Sequence, residues 1–295
     1  MRLTARVPAT AANLGPGFDC LALALDLCNE FTVDTEGEPG VTWEGEGASE
    51  LPTDGSDMVS RAMRLAERRV AEAHGAGVYP LPPFALHGRN RIPLARGLGS
   101  SAAAAVAGVA VAYRILGVDD PSSLAVTALW LAAELEGHPD NAAAAALGGL
   151  TIVAGDDVER VDPHPALRPV LFVPDALRMS TDEARRALPD AVSRHDAAFN
   201  IAHTALTIVR LLRDPDRLRL AMRDRLHQEA RLELVPEARS VFRALDAAGI
   251  PVCVSGSGPT VLAFEREGSE PPDPGQGWRL VRIPVRAEGI EILEA

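Results

Sequence analysis

Two glycines and two serines mark the stretch of this chain that is best suited to hold an anion. Gly97 and Gly99 lie in residues 92–105, and Ser100 and Ser101 follow directly, before an alanine-rich run. Glycine adopts positive φ and lets the backbone approach a ligand closely, and the serines fall where the first unpaired N–H groups of a helix point outward. Because a helix N-terminus carries roughly half a positive charge, the segment is predicted to bind phosphate. A serine hydroxyl there is within reach of Mg²⁺.

The same residues could form an ordinary glycine turn with a serine N-cap, so the motif alone leaves both interpretations open. A Walker-type phosphate loop is excluded. The pattern GxxxxGK[ST] is absent, and the chain contains no lysine.

Polar residues flank two further breaks in the apolar pattern. Asn13 and Asp19 lie on either side of a Gly-Pro-Gly turn, and a His-Pro-Asp-Asn string supplies His138, Asp140 and Asn141 at a junction between two predicted helices. Asn and Asp often bond their own backbone in turns, and Asp140 would also be a good N-cap. A purely structural role therefore remains open for these residues.

Two predicted helices carry further charged candidates. Glu134 and Glu136 are two residues apart and project to different faces, so at most one can face a shared site. Thr181 and Arg185 are four apart and share a face, on a helix that Ser180 would open with a capping box. A solvated surface arginine is the simpler interpretation of Arg185 taken alone.

The elements that must position these residues follow from hydrophobic periodicity. Alternation predicts a strand at residues 2–8, and helical spacing predicts a helix at residues 58–74. Proline-rich, polar sequence at residues 161–169 predicts a boundary between domains 1–160 and 161–295. The other predicted elements are a strand at 84–87, helices ending at Leu116 and Gly137, helices at 196–213 and 215–225, and a strand, glycine loop and strand at 252–264.

Composition limits the partners and the location. A formal charge of −12 over 295 residues argues against nucleic acid and anionic membranes as partners. Three cysteines without metal-ligand spacing indicate reduced thiols. With neither a signal peptide nor a membrane span in evidence, a cytoplasmic protein is expected.

Together the motifs resemble those of the GHMP small-molecule kinases, most of all the homoserine kinases. Ile-Pro-x-x-Arg-Gly-Leu-Gly-Ser-Ser-Ala-Ala resembles the family's phosphate loop, and ANLGPGFD, EGHPDN and STDEAR are similar to homoserine kinase segments. HQEARLELVP resembles the segment that supplies a second arginine, and SGSG at residues 255–258 resembles the third signature. The resemblance implies transfer of a phosphoryl group from ATP, with Mg²⁺, to the hydroxyl of L-homoserine.

The resemblance also implies roles for individual residues. For the nucleotide it implies Pro93, Arg96, Gly97, Leu98, Gly99, Ser100, Ser101, Ala102, Ser257 and Gly258. For the substrate it implies Asn13, Asp19, His138, Asp140, Asn141, Thr181, Arg185 and Arg231, among which Asp19, Asn141 and Arg185 are the catalytic candidates. Ser101 and Glu134 are implied for Mg²⁺, with Glu134 preferred to Glu136 because a small residue precedes it. Direct transfer without a dedicated general base is the preferred mechanism.

The implied fold is α+β, the two-domain GHMP kinase fold. It joins an N-terminal domain like domain 2 of ribosomal protein S5 to a ferredoxin-like C-terminal domain. After Phe264 the family places a helix, whereas residues 265–277 are rich in Pro and Gly, so the last layer should be shortened. A homodimer is the expected assembly. The alternatives are another GHMP kinase with a different alcohol substrate and a non-enzymatic ligand sensor on the same fold.

Overall fold

The computed structural model describes residues 1–74, 80–118, 120, 123–266 and 268–294. The strands are β1 (Arg2–Ala12), β2 (Leu21–Asp34), β3 (Gly40–Gly45), β4 (Ala85–Asn90), β5 (Leu150–Ala154), β6 (Asp157–Val161), β7 (Pro169–Pro174), β8 (Val252–Val254), β9 (Val261–Phe264), β10 (Trp278–Arg282) and β11 (Glu291–Glu294). The helices are α1 (Met58–His74), α2 (Ser100–Leu116), α3 (Leu124–Glu136), α4 (Asp140–Leu147), α5 (Thr181–Arg186), α6 (Arg194–Arg213), α7 (Leu218–Ala221), α8 (Gln228–Leu234) and α9 (Pro236–Ala247).

The first sheet is organised around β2, which is long enough to pair with three neighbours. The order is β11-β1-β2-β4-β3, and β5 and β6 branch from β2 as a hairpin. All of these pairs are antiparallel except β3 with β4. The strand predicted at residues 2–8 is confirmed and extends to Ala12, so it delivers Asn13 to the end of the sheet.

Helix α2 is buried along most of its length. Residues 102, 103 and 105–112 are all buried, and the absence of a side chain at Gly108 lets α1 approach closely. A Cβ there would come within 2.4 Å of Val59 O. The helix predicted at residues 58–74 is confirmed, as is the Gly117 cap of α2, where φ is 64°. The predicted start of α3 at residues 121–122 lies outside the described residues.

The second sheet is antiparallel with the order β10-β7-β9-β8. Numbered along the chain this is 4-1-3-2, the order of a ferredoxin-like unit. Helices α5 to α9 lie between β7 and β8 in the chain, whereas residues 265–266 and 268–277, which lead to β10, contain no helix. The predicted shortening of the last layer is therefore confirmed.

Two predictions about this half of the chain need correction. The region 161–295 is not one unit, because β11 returns to the first sheet and pairs with β1, from Leu3 with Glu294 to Arg6 with Glu291. The helix predicted at residues 215–225 is only a 3₁₀ turn, Pro215–Arg217, followed by α7.

No described helix has both the length and the apolar character that a membrane span requires.

Candidate active site

A cleft of about 250 Å³ lies where the phosphate loop, the Gly-Pro-Gly turn, α4 and α5 meet. It gathers residues from every motif that the sequence singled out. The predicted site residues that line it are Asn13, Asp19, Pro93, Arg96, Gly97, Leu98, Gly99, Ser100, Ser101, His138, Asp140, Asn141, Thr181, Arg185, Arg231 and Ser257. Three predicted residues, Ala102, Glu134 and Gly258, do not line it.

The phosphate loop takes the left-handed backbone that its glycines allow. Gly97 has φ 71° and Gly99 has φ 70°. A Cβ on Gly97 would meet Ser255 O at 2.1 Å, and a Cβ on Gly99 would meet Thr10 Oγ1 at 1.9 Å. Both positions therefore need glycine for packing as well as for φ.

Helix α2 opens toward the cleft without a side-chain cap. Its N-cap is Gly99, so the alternative of an ordinary serine N-cap is wrong. Ala103 N donates to Gly99 O at 2.9 Å, which leaves the preceding amides of the first turn without an acceptor inside the helix. These amides can bind an anion at the end where the helix dipole favours one.

Arg96 does not point a free guanidinium at this anion site. Its side chain is buried and donates from Nε to Pro174 O at 2.7 Å, from Nη1 to Leu94 O at 3.1 Å and from Nη2 to Asp175 O. Nη1 and Nη2 each keep a second N–H, and Arg96 lines the cleft, so its nucleotide contact stays a prediction. The three hydrogen bonds fasten the phosphate loop to the end of β7.

Glu136, and not Glu134, faces the phosphate loop. Ser101 Oγ donates to Glu136 Oε1 at 2.6 Å, whereas Glu134 Oε1 accepts from Arg69 Nη2 at 2.7 Å outside the cleft. Helix α3 is thus rotated so that Glu136, and not the preferred Glu134, lies next to Ser101. Serine and carboxylate oxygens suit Mg²⁺, which takes one or two protein carboxylates and fills its shell with phosphate and water. Among the described residues, no cluster of three His, Cys, Asp or Glu could hold a metal by itself.

The Gly-Pro-Gly turn is held by the side chain of Asn13. Asn13 Nδ2 donates to Gly256 O at 2.9 Å, and Asn13 Oδ1 accepts from Asp19 N at 3.0 Å. Both residues have positive φ, 71° for Asn13 and 53° for Asp19. The turn-forming role that the sequence left open for Asn13 is thus realised, at the wall of the cleft.

Asp19 is bound by Arg185 through both oxygens. Arg185 Nη1 donates to Oδ2 at 3.0 Å, and Arg185 Nη2 donates to Oδ1 at 2.7 Å. Arg185 and Thr181 both line the cleft from α5, whose capping box between Ser180 and Glu183 is confirmed. A carboxylate with both oxygens in a guanidinium fork is poorly placed to accept a proton.

A second carboxylate, that of Asp140, is buried at the start of α4. The N-cap is Pro139 and not Asp140, which corrects the predicted cap. Asp140 Oδ1 accepts from Asn141 N at 2.7 Å and from His138 Nδ1 at 3.1 Å, while Thr10 Oγ1 donates to Asn141 Oδ1 at 2.6 Å. Burial lowers the pKa of His138, but the hydrogen bond and charge of Asp140 outweigh burial, so its pKa is raised overall.

Arg231 reaches the same cleft from α8. It is buried and donates from Nη1 to Gly256 O at 2.7 Å, the oxygen that also accepts from Asn13. Its Cζ lies 5.3 Å from the centre of the Phe18 ring. Burial lowers its pKa to about 10, against the charge of Asp19, so Arg231 remains cationic at neutral pH.

Four residues that form or support the cleft were missed or ranked second by sequence reasoning. They are Thr10, Glu136, His227 and Gly256. Glu136 had a local signal, because it directly precedes the Gly137 cap that turns the chain into His138. His227 lies four residues before Arg231, one helical turn away, which was a usable signal as well. Gly256 lies in the SGSG string at residues 255–258, but its carbonyl contacts with Asn13 and Arg231 are distant in sequence. Thr10 also acts through a distant contact, and no local pattern predicts it.

Comparison with known proteins agrees with this geometry. The model for the GHMP kinases N terminal domain matches residues 57–149, and the model for the GHMP kinases C terminal matches residues 206–271. A homoserine kinase from Clavibacter michiganensis subsp. michiganensis is 42% identical over 97% of this chain and 87% of that protein. A homoserine kinase from Rhodococcus erythropolis is 41% identical over 100% of this chain and 93% of that protein.

Solved structures give the same result. The crystal structure of homoserine kinase from Cytophaga hutchinsonii superposes with a TM-score of 0.82 at 26% identity, covering 99% of this chain and 97% of that one. A putative homoserine kinase from Listeria monocytogenes superposes with a TM-score of 0.73 at 27% identity, covering 99% of both chains. The chain belongs to the homoserine kinases of the GHMP kinase superfamily.

Proposed function

We propose that this protein transfers the γ-phosphoryl group of ATP to the side-chain hydroxyl of L-homoserine, a step of threonine biosynthesis that yields O-phospho-L-homoserine and ADP. The observation that carries the proposal is that Arg185, Arg231 and the buried carboxylate of Asp140 share one cleft with the open N-terminus of α2. An amino acid needs an arginine for its carboxylate and a carboxylate for its ammonium group, whereas a sugar needs neither. The full-length relatives named homoserine kinase support the same substrate.

The nucleotide phosphates bind at the N-terminus of α2. The amides of the first turn and the hydroxyls of Ser100 and Ser101 face the phosphates, and Gly97 and Gly99 let the backbone come close. Ser101 and Glu136 would hold Mg²⁺. When bound, Mg²⁺ supplies positive charge to the oxygens of the transferring phosphoryl group.

The amino acid lies between α4, α5 and α8. Arg231 binds its carboxylate, with Thr181 beside it, and Asp140 accepts from its ammonium group with His138 as the partner that fixes the Asp140 carboxylate. Asn141, held by Thr10, orients the hydroxyl that attacks the γ-phosphate. Asn13 shapes the wall next to that hydroxyl.

The hydroxyl oxygen attacks the γ-phosphorus as its bond to ADP breaks, and the hydroxyl proton passes directly to an oxygen of the transferred phosphoryl group, without a dedicated general base. Phosphoryl transfer depends on in-line positioning and charge neutralisation more than on covalent chemistry. Both oxygens of Asp19 accept from Arg185, so this pair acts as one unit. Asp19 holds Arg185 where its positive charge can offset charge that develops on the phosphoryl oxygens.

The test measures ADP release with L-homoserine and with an uncharged amino alcohol of similar length, in wild type and in Arg231→Leu. Because removing one partner of a desolvated charge pair costs about 2–5 kcal/mol, Arg231→Leu should lower kcat/KM for L-homoserine by roughly 30-fold to several thousand-fold. The affinity for ATP and the turnover of the amino alcohol should stay as in wild type. The variant should therefore lose its preference for L-homoserine over the alcohol. Homoserine turnover close to wild type in the variant would reduce the claim to an unspecified GHMP kinase.

We also propose a cytoplasmic homodimer. Cys20, Cys28 and Cys253 are all free thiols, as expected in a reducing compartment. The homodimer is carried over from the sequence-based expectation, and light scattering on the purified protein tests it.

A further inference from the structure

His227 lies fully buried between two parts of the candidate site and makes one hydrogen bond with each ring nitrogen. Nε2 lies 2.7 Å from Gly15 O, and Nδ1 lies 3.2 Å from Arg231 Nη1. A carbonyl oxygen only accepts and a guanidinium only donates. Nε2 therefore carries the proton, Nδ1 is the acceptor, and the two contacts together fix a single neutral tautomer.

Burial keeps the ring neutral. Burial lowers the pKa of His227 to about 4, helped by the charge of Arg231 and opposed by Asp224 and Asp19. Phe18 covers one side of the ring, with 5.2 Å between the ring centres. A protonated ring would face the Arg231 guanidinium with a second N–H, so the contact at Nδ1 depends on neutrality.

The backbone beside His227 is fixed independently of the ring. Asp224 Oδ2 accepts from His227 N at 2.9 Å and from Gln228 N at 2.8 Å, and Asp224 Oδ1 accepts from Asn200 Nδ2 at 2.7 Å. The start of α8 is therefore anchored by Asp224. This leaves the two ring nitrogens free to connect Arg231 with the turn at Gly15.

Both ends of this connection reach the cleft, although His227 itself does not line it. Gly15 belongs to the turn that carries Asn13 and Asp19, and Arg231 is the guanidinium that binds the substrate carboxylate. The imidazole thus connects the turn that carries Asn13 and Asp19 with the Arg231 guanidinium that lines the cleft. A shift of Arg231 or of the turn alone breaks one of its two hydrogen bonds.

We propose that His227 is a positioning residue, whose Nδ1 orients Arg231 toward the amino-acid carboxylate and whose Nε2 ties that guanidinium to the Gly15 turn. This inference rests on the proposed function, because it concerns the subsite for the carboxylate of L-homoserine. It assigns His227 a role in substrate recognition and none in contact with substrate or nucleotide.

Two amide substitutions separate the two nitrogens. In His227→Asn the side-chain amide lies near the position of Nδ1 and can accept from Arg231, but nothing reaches Gly15. In His227→Gln the amide lies near the position of Nε2 and can donate to Gly15 O, but the Nδ1 acceptor is lost. The matched control is His203→Gln, because the half-buried His203 also bonds a backbone carbonyl, Ala221 O, at 3.1 Å, away from the cleft.

The expected results differ between the two variants. His227→Gln should raise KM for L-homoserine by roughly 10- to 100-fold, the effect expected for a lost hydrogen bond to a charged group, and leave KM for ATP unchanged. His227→Asn should recover most of the KM for L-homoserine but melt at a lower temperature than His227→Gln. His203→Gln should match wild type in both KM values. If Asn and Gln raise KM for L-homoserine equally, or if Gln does not raise it, His227 is only structural and the proposal is overturned.

A measurement on the unmodified protein covers the case in which a variant fails to fold. In a ¹⁵N-histidine spectrum of the seven histidines, one ring should remain neutral with the proton on Nε2 at pH 6.5, the ordinary pKa of histidine. A His227 ring that carries a proton on Nδ1 at that pH overturns the proposal. Failure of the proposed function would look different, because wild type itself would then release no ADP with L-homoserine.

Discussion

The carbonyl oxygen of Gly256 shows how single groups assemble this site. It accepts from Asn13 Nδ2 at 2.9 Å and from Arg231 Nη1 at 2.7 Å. One oxygen thus joins the Gly-Pro-Gly turn, the glycine loop after β8 and the arginine of α8. The exact position of Arg231 depends on that loop as much as on its own helix.

The glutamate proposed to bind Mg²⁺ gives the first prediction at this scale. Glu136→Gln should raise the Mg²⁺ concentration needed for half-maximal activity by at least about tenfold, since even partners of metal ligands contribute that much. The matched control is Glu134→Gln, which removes only the exposed ion pair with Arg69. Mg²⁺ titrations of ATP turnover would decide between them, and a larger defect in Glu134→Gln would restore the sequence-based choice.

Most cleft residues were predictable from sequence because they lie in short motifs whose members are neighbours in the chain. The hydrogen bonds of Arg96 and the orientation of Glu134 were not predictable, for different reasons. The acceptors of Arg96 are main-chain carbonyls of Pro174 and Asp175, which leave no side-chain signature in the sequence. The choice between Glu134 and Glu136 depends on how α3 is rotated against α2, which helical spacing alone does not fix.

Helix α2 connects packing with ligand binding at the scale of one element. It is buried along residues 105–112, and its first turn opens into the cleft. Both of its ends are glycines with similar positive φ, 70° at Gly99 and 64° at Gly117. Their surroundings differ, because a Cβ at Gly117 would meet nothing within 4 Å.

These two glycines form a matched pair for the second prediction. Gly117→Ala should lower the free energy of unfolding by about 1–2 kcal/mol through backbone strain and leave ATP binding unchanged. Gly99→Ala should destabilise more, because its Cβ would displace Thr10, and should weaken ATP binding on the order of 100-fold through misplacement of the loop. Urea unfolding and ATP titration provide the measurements. Equal ATP affinity in the two variants would contradict the anion site at α2.

Helices with a clear apolar stripe were found from sequence, and α1 matches the predicted residues. The region 215–225 does not form the helix that its apolar spacing predicts. It consists of a 3₁₀ turn, a single helical turn and a loop in which Asp224 accepts a hydrogen bond from Asn200. Tertiary contacts outweigh periodicity in segments this short.

At the scale of the whole molecule, one face of the second sheet joins the apolar core of the first sheet, while its other face packs in a separate cluster with α5, α8 and α9. Leu211, Leu262 and Phe264 from the second half belong to the same buried cluster as the residues of β1 and β2. Arg96 joins the phosphate loop to the end of β7 in the same region. The two halves should therefore unfold together, and calorimetry should show one transition and not two.

The buried Asp224 and His227 predict how stability depends on pH. The pKa of His227 is lowered from 6.5 to about 4, so between these values the unfolded chain binds a proton that the folded protein does not. The contribution of this group to the free energy of unfolding is fully present above pH 6.5. It is lost as the pH is lowered toward 4, which reduces the free energy of unfolding by roughly 3 kcal/mol. Despite burial, which raises it, the pKa of Asp224 is lowered by His227 and hydrogen bonds, so its contribution is lost at still lower pH.

Urea unfolding of wild type and His227→Gln across this range tests the pH dependence. The difference in unfolding free energy between them should change with pH between 4 and 6.5 and be constant above. A constant difference throughout would show that His227 titrates normally in the folded protein.

The return of the chain to the first sheet was invisible in the sequence. The four residues of β11 are too few for an alternating pattern to stand out, and their partner β1 lies at the other end of the chain. Pairing between distant strands depends on the completed fold and not on local signals.

That return also sets an order for synthesis. β11 leaves the ribosome after every other strand, and until it does, the β1 edge that it covers stays open from Leu3 to Arg6. An open edge is a template for pairing with another chain, so the nascent protein is exposed to association through β1 until residues 291–294 emerge. The first sheet is thus synthesised early, but it is completed only when β11 pairs with β1.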